Sequence, residues 1–321
     1  MIGIEEPRAR SLFKLVVKGD LATADTAKAY DQAADDYVAY ADGDPQHLFA
    51  FEGHHAFADR HVWSVLDAKL RNLRATGATS VSILDAGCGP GTWLRRIVTR
   101  AHLLGFTSIT ARGFDVSDVQ VRSARRNAAS LTRTAGVDLS FDRADLEDRL
   151  PESDASVDMV VCLYSVLSHL PVANLPRVGT EIARVTKGHF VTTVRSTGSP
   201  PTAFVDSIEA ARRFRLDHDR DRCEIEFHDG RRIVLRFHLF TAGELLRCFA
   251  GRLEIEDLCG LDIFHGRFSP DKRWHPSAIS ADPRFANLLA QLETRSMRNP
   301  SFMARATHLM LVGRRRQQLN T

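Results

Sequence analysis

Residues 83–92 read Ile-Leu-Asp-Ala-Gly-Cys-Gly-Pro-Gly-Thr, a short apolar segment that runs into three alternate glycines and then into a helical pattern. Val81, Ile83 and Leu84 have the character of a buried strand, closed by the acid Asp85. At Gly87, Gly89 and Gly91 no side chain stands between the backbone and a ligand. From Thr92 onward, Trp93, Leu94, Ile97, Val98, Ala101 and Leu104 recur at helical spacing, so the free N–H groups of a helix N-terminus face the turn. Strand, glycine turn and helix in this order form a nucleotide-type cradle. A dinucleotide fold carries Gly-x-Gly-x-x-Gly; the two-by-two spacing here argues against NAD.

The same alternation continues along the chain. Residues 108–115 predict a second strand ending in Asp115, followed by a helix capped by Ser117 and running to about Thr134. A carboxylate at the end of the second strand can accept hydrogen bonds from ribose hydroxyls; a helix-entry cap is the plainer role for the same side chain. A third strand spans Val137–Phe141 and a fourth Val157–Cys162; a helix from about Asn174 to Val185 precedes a fifth strand, Phe190–Val194. Such repeats predict an α/β, doubly wound, mostly parallel sheet with ligands beyond the carboxyl ends of its strands.

Asp85, Gly87, Gly89 and Gly91 fill the pattern acid, spacer, Gly-x-Gly-x-Gly. The segment resembles motif I of the class I S-adenosylmethionine-dependent methyltransferases of small-molecule type. The resemblance implies a Rossmann-like, seven-stranded sheet and S-adenosyl-L-methionine as cofactor. It places Asp85, Gly87, Cys88, Gly89 and Gly91 at the cofactor, Asp115 and Val116 at its ribose, and Asp145 with Leu146 at its adenine. Cys162 and Leu163 follow at the end of the fourth strand, and residues 163–171 resemble the motif IV region, which faces the transferable methyl. The N-terminal run 30–37, Tyr-Asp-Gln-Ala-Ala-Asp-Asp-Tyr, is similar to a lid over the cofactor, which makes Tyr30 and Tyr37 lid residues. Aromatic packing of a surface helix accounts for the two tyrosines equally well.

Four segments follow: a helical N-terminal lid (1–75), a cofactor-binding core (76–196), an insertion (197–240) and a C-terminal completion of the sheet (241–321). The insertion ends in a predicted hairpin, Glu224–His228 and Arg231–Leu239 about an Asp229-Gly230 two-residue turn. Its apolar face can pack on the core while its polar face forms a substrate wall or the interface of a homodimer. In the C-terminal segment, helices at 242–250 and 283–295 flank a strand at 253–258, and the family resemblance implies that the last strand, Thr307–Val312, lies antiparallel beside the fifth.

A hydrophobic content of 44% over 321 residues suffices for one large core. With 43 basic against 40 acidic residues the signs are too balanced for a phosphate-tracking surface, so no nucleic acid is expected. The basic run Arg314-Arg315-Arg316 is expected to be a frayed tail. Five scattered cysteines without metal-ligand spacing suit a reduced, cytoplasmic chain. No targeting or membrane-spanning segment is predicted. His54, His55 and His61 lie close together, but no Glu stands at the needed helical offset and no acidic cluster matches them, so capping or solvated roles are expected and no metal.

The function expected is methyl transfer from S-adenosylmethionine to an oxygen or nitrogen of a small molecule. Alignment of nucleophile, methyl and sulfur supplies most of the chemistry, with a base where a proton must leave. His169 and His265 are the candidate bases and Tyr164 a candidate wall of the acceptor site; a helix-end histidine holding its loop is an equal reading of His169. Arg267, Arg273 and Trp274 offer guanidinium groups and an aromatic wall to a substrate, or a structural cluster fixing their loop. An alternative with the same cradle transfers or cyclises the aminocarboxypropyl group and releases methylthioadenosine. A noncatalytic cofactor-binding protein is a third class, disfavoured by the intact Asp85, Asp115 and Asp145.

Overall fold

The computed structural model describes residues 25–32, 47–51, 55–199, 211–265 and 283–316. Residues 25–32 are helical (α1). The core then runs α2 (Ala56–Ala75), β1 (Ser80–Ala86), α3 (Thr92–Leu103), β2 (Ser108–Asp115), α4 (Asp118–Asn127), β3 (Val137–Arg143), β4 (Val157–Cys162), α5 (Leu175–Val185) and β5 (Thr186–Arg195). After it come β6 (Ala211–Asp217), β7 (Arg222–Phe227), β8 (Arg232–Arg236), α6 (Ala242–Phe249), β9 (Leu253–Leu261), α7 (Pro283–Ser296), α8 (Pro300–Met303) and β10 (His308–Arg315).

One seven-stranded sheet has the order β3-β2-β1-β4-β5-β10-β9. The pairs among β1 to β5 are parallel, and β10 is antiparallel to both β5 and β9. Successive residues of β1 serve opposite faces, as a strand requires. Ile83 joins one apolar cluster with Leu66 and Leu70 of α2 and Ile97 of α3; Leu84 joins the other with Ile182 of α5 and Phe249 of α6. Val62, Leu66 and Leu70 recur every fourth residue of α2 and are fully buried, each stabilising the fold by about 1.5–3 kcal/mol. Among the described residues no helix is long and apolar enough to cross a membrane.

Several boundaries differ from expectation. Ser117 caps α4 by accepting from the Gln120 N–H, but the helix ends at Asn127, and residues 131–133 form a separate 3₁₀ turn. Thr132 there bonds back to the Ala129 carbonyl, the local competition with helix that such side chains offer. The basic run at 314–315 is no tail: it completes β10, with Arg314 on Glu254 at 2.8 Å and Arg315 on the Thr186 carbonyl at 3.3 Å.

The insertion is a three-stranded antiparallel sheet rather than a hairpin alone. The strand absent from the sequence analysis, β6, is an edge whose arginines face outward, the charge pattern by which edges avoid further pairing. Glu226 pairs with Arg232, and the Phe227 N–H donates to the Arg231 carbonyl at 2.9 Å. The connection is therefore the three residues 228–230, with Gly230 in the left-handed region at φ 86°, not a two-residue turn. The sheet's apolar face, with Ile225, Leu235 and Phe237, packs with Ala29 and Tyr30 of α1.

Candidate functional site

The glycine turn is left-handed throughout, with φ of 75°, 52° and 82° at Gly87, Gly89 and Gly91. Gly87 and Cys88 donate to the Phe114 carbonyl at 2.8 and 2.9 Å, tying the turn to the end of β2. Asp115 then spans two elements: Oδ2 accepts from the Gly89 N–H and Oδ1 from the Ser117 N–H, each at 2.9 Å. A Cβ on Gly87 would collide with the Val166 side chain. Asp85 lies beneath the turn, 2% exposed. Burial, with the neighbouring Asp115 charge, pushes its carboxyl up to about 7. Burial raises Asp115 as well.

Above the turn opens a cleft enclosing about 630 Å³, part of it open to solvent. Gly87, Gly89, Phe114, Asp115 and Val116 form its floor, and Ala144, Asp145 and Leu146 one side. Leu163, Tyr164, Val166, His169 and Leu170 form the other side, and Thr26 and Tyr30 of α1 close it. α1 is held at two points. Asp31 accepts from Ser117 Oγ at 2.5 Å and from the Val119 N–H at 3.3 Å. Tyr30 Oη meets His169 Nε2 at 2.8 Å, while His169 Nδ1 meets the Arg236 carbonyl of β8 at 2.8 Å. A carbonyl can only accept, so Nδ1 carries the proton and Nε2 receives the tyrosine hydroxyl. Burial holds the imidazole down to about 4, and His169 is neutral.

Beyond the end of β4 two non-glycine residues are left-handed in succession, Tyr164 at φ 54° and Ser165 at φ 75°. Each such residue costs of order 1–3 kcal/mol, which the surroundings must offset. Thr193 of β5 does so: its Oγ1 accepts from the Tyr164 N–H at 2.7 Å and its carbonyl from the Ser165 N–H at 3.1 Å. The turn aims Tyr164 away from the sheet. Its hydroxyl donates to Asp59 of α2, and its ring lies between Trp93 (centroids 5.9 Å apart), His308 (5.5 Å) and His55 (6.3 Å). Asp262, fully buried, meets His55 Nδ1 at 3.2 Å. Burial raises the Asp59 carboxyl against the opposing effect of the Tyr164 hydrogen bond and moves the Tyr164 phenol well above its usual range. Tyr164 thus lines the cleft and donates to a half-buried acid.

The profile of the methyltransferase-domain family matches residues 83–189. That segment is a class I methyltransferase domain. Magnesium protoporphyrin IX methyltransferase from Synechocystis PCC 6803, solved with bound S-adenosylhomocysteine, shares its fold: TM-score 0.51, 14% identity, 92% of this chain and all of that one covered. Geranyl diphosphate C-methyltransferase from Streptomyces coelicolor A3(2) aligns over 74% of this chain and 72% of its own at 15% identity and TM-score 0.43. A protein from Pyrococcus horikoshii OT3 aligns over 73% and 82% at 17% identity and TM-score 0.45. No curated protein sequence gives a significant match.

The cofactor of the methyltransferase domain is S-adenosylmethionine, and the walls suit it. Side-chain-free backbone at Gly87 and Gly89 and acidic groups at Asp115 and Asp145 share the cleft with apolar Leu146, next to a helix N-terminus. The Thr26 hydroxyl is buried in the cleft without a protein partner, an unused donor toward a bound ligand.

Of the residues assigned from sequence, Tyr30, Gly87, Gly89, Asp115, Val116, Asp145, Leu146, Leu163, Tyr164 and His169 line the cleft. Asp85, Cys88, Gly91 and Cys162 lie off its surface and shape it: Gly91 opens α3, and Asp85, Cys88 and Cys162 are buried behind the loop. His265 is not on the cleft. It stacks on Phe57 at 4.7 Å and meets Glu293 at 3.1 Å, in a cluster where Glu293 also accepts from the Ile263 and Phe264 N–H groups. The free-base role expected of His169 is closed by its two hydrogen bonds. Tyr37, Arg267, Arg273 and Trp274 lie outside the described residues. Thr26 and Asp59 were missed. Thr26 stands four residues before Tyr30, one helical turn, which was the available signal; nothing local marks Asp59, whose partner is 105 residues away.

Proposed function

We propose that this methyltransferase transfers a methyl group directly to an oxygen or nitrogen of a small molecule bound in the cleft against Tyr164. The observation that carries it is Tyr164 itself, which lines the cofactor cleft and donates to a half-buried carboxylate of raised proton affinity. When bound, S-adenosylmethionine supplies a methyl already activated on a sulfonium. The glycine turn, Asp115 and Asp145 hold the cofactor, and α1 latched on His169 excludes water above it. Trp93, His55 and His308 pack around the Tyr164 ring and fix it at the cleft wall, and the Tyr164 hydroxyl takes the proton that an O–H or N–H nucleophile must lose as it passes its own to Asp59.

The test is incubation with S-adenosylmethionine and a fractionated metabolite extract, followed by mass spectrometry of the nucleoside by-product. S-adenosylhomocysteine together with a product 14 mass units heavier is expected (the methylene difference); methylthioadenosine would overturn direct transfer in favour of aminocarboxypropyl chemistry. With an acceptor in hand, Asp59→Asn lowers kcat by about 10²-fold or more while the cofactor Kd stays within about threefold. An unchanged kcat removes Asp59 from the proton path.

A further inference from the structure

We infer that His55, Asp262 and His308 form a binding site for one divalent transition-metal ion beside Tyr164. The three residues come from the entrance of α2, the end of β9 and the start of β10, and one ligand atom from each lies within 4.8 Å of the other two. The imidazoles of His55 and His308 meet edge to face, centroids 4.9 Å apart and planes at 84°. That arrangement lets ring nitrogens converge without stacking the rings.

Asp262 supplies the second, independent observation. It is fully buried, and only one of its oxygens, Oδ2, has a protein partner; Oδ1 has none. An unpaired buried carboxylate oxygen costs several kcal/mol unless a cation or a donor meets it. The backbone fixes it in place: its φ is 54°, its carbonyl accepts from Thr307 Oγ1 at 3.0 Å, and the Thr307 N–H holds the Leu261 carbonyl at 3.0 Å. A second, half-buried carboxylate, Asp59, stands near enough to influence the same electrostatic environment. Two imidazoles and a carboxylate suit zinc, cobalt, nickel or ferrous ion rather than magnesium or calcium, which prefer oxygen throughout.

Three protein ligands leave coordination positions open, and the rings of both histidines face Tyr164.

A second triad, His61, Asp257 and Cys259, is the internal competitor. Asp257 is already engaged by Arg298 at 2.8 and 2.6 Å, and burial pushes the Cys259 thiol up to about 12, so its thiolate is hard to form.

The experiment is titration of the chelator-treated full chain with Co²⁺, read by visible absorption, with Zn²⁺ as competitor in calorimetry. One equivalent is expected, with a d–d spectrum of nitrogen and oxygen ligands and no thiolate charge-transfer band. His55→Ala and the near-isosteric His308→Gln each weaken binding at least tenfold with the circular dichroism spectrum retained, and His61→Ala leaves it unchanged. Absence of stoichiometric binding overturns the inference, as does equal binding by the His55 and His308 variants or a thiolate band lost in Cys259→Ala. Cofactor binding is measured calorimetrically on the same samples, so failure of the methyltransferase reading is seen separately from failure of the metal site.

Discussion

Tyr30→Phe removes one oxygen from the contact that latches α1 over the cofactor cleft. The Tyr30–His169 bond is 2.8 Å long and His169 is 8% exposed, so the variant leaves Nε2 buried without its donor. Loss of a net hydrogen bond and the stranding of its acceptor together cost about 2 kcal/mol, or about thirtyfold in the docking of the helix. Hydrogen exchange of the amides at 25–32 reads this directly, and calorimetry reads it as a cofactor Kd weakened by up to the same factor. A double-mutant cycle with His169→Phe isolates the pair, with a coupling of at least about 1 kcal/mol expected. His169 also has a pH signature. Its folded-state value of about 4 lies below the ordinary 6.5, so the unfolded chain takes up a proton that the folded chain refuses. Stability is whole above pH 6.5 and falls by up to about 3 kcal/mol as pH drops toward 4. His169→Phe abolishes that slope; Tyr30→Phe keeps it, because burial causes the shift. Zero coupling, or a slope unchanged in His169→Phe, would refute the latch.

Asp85 titrates in the opposite sense: raised to about 7, its stability contribution is present below the unfolded value near 3.8 and lost as pH rises through 7, a fall of up to about 4 kcal/mol. Asp85→Asn removes that fall, and because the two slopes oppose each other, variant-minus-wild-type denaturant curves at several pH values are the measurement. Gly87→Ala sets a Cβ against Val166 at a φ of 75°, and cofactor affinity drops more than tenfold by calorimetry. The double variant Gly87→Ala/Val166→Ala recovers part of the thermal stability but not all, since the backbone conformation remains unfavourable. Glu293→Gln replaces an acceptor-only group beneath the Ile263 and Phe264 N–H donors and is expected to cost about 2 kcal/mol, or about 3 °C in Tm by scanning calorimetry.

The cofactor half of the site was legible because its residues are local in the chain. A glycine turn, an acid at a strand end and the following helix are joined by short loops, and periodicity finds each of them. Asp115 and Asp145 stand where strand ends placed them. The proposed acceptor side was not legible, for a physical reason: Asp59 and Tyr164 are 105 residues apart, and His55 and Asp262 are 207 apart. His55 was judged by its helical neighbours, whereas its partners come from strands at the far edge of the sheet. His169 offered two readings by residue type and position, a base or a histidine holding its loop, and only its partners from α1 and β8, distant in sequence, favour the second. β6 escaped because an exposed, arginine-rich edge carries little alternating pattern.

The antiparallel entry of β10 between β5 and β9 has a consequence for synthesis. Every residue on the cleft precedes position 171, so a nascent chain can assemble the cofactor's seat while the sheet still ends at β5. His308 and Asp262 reach the far side of Tyr164 only with the final strand. A chain whose first 200 residues have emerged from the ribosome therefore carries the floor of the cofactor's seat but neither Arg236, which fixes His169, nor His308. The order of translation itself postpones completion of the walls around Tyr164 until the edge of β5 is covered.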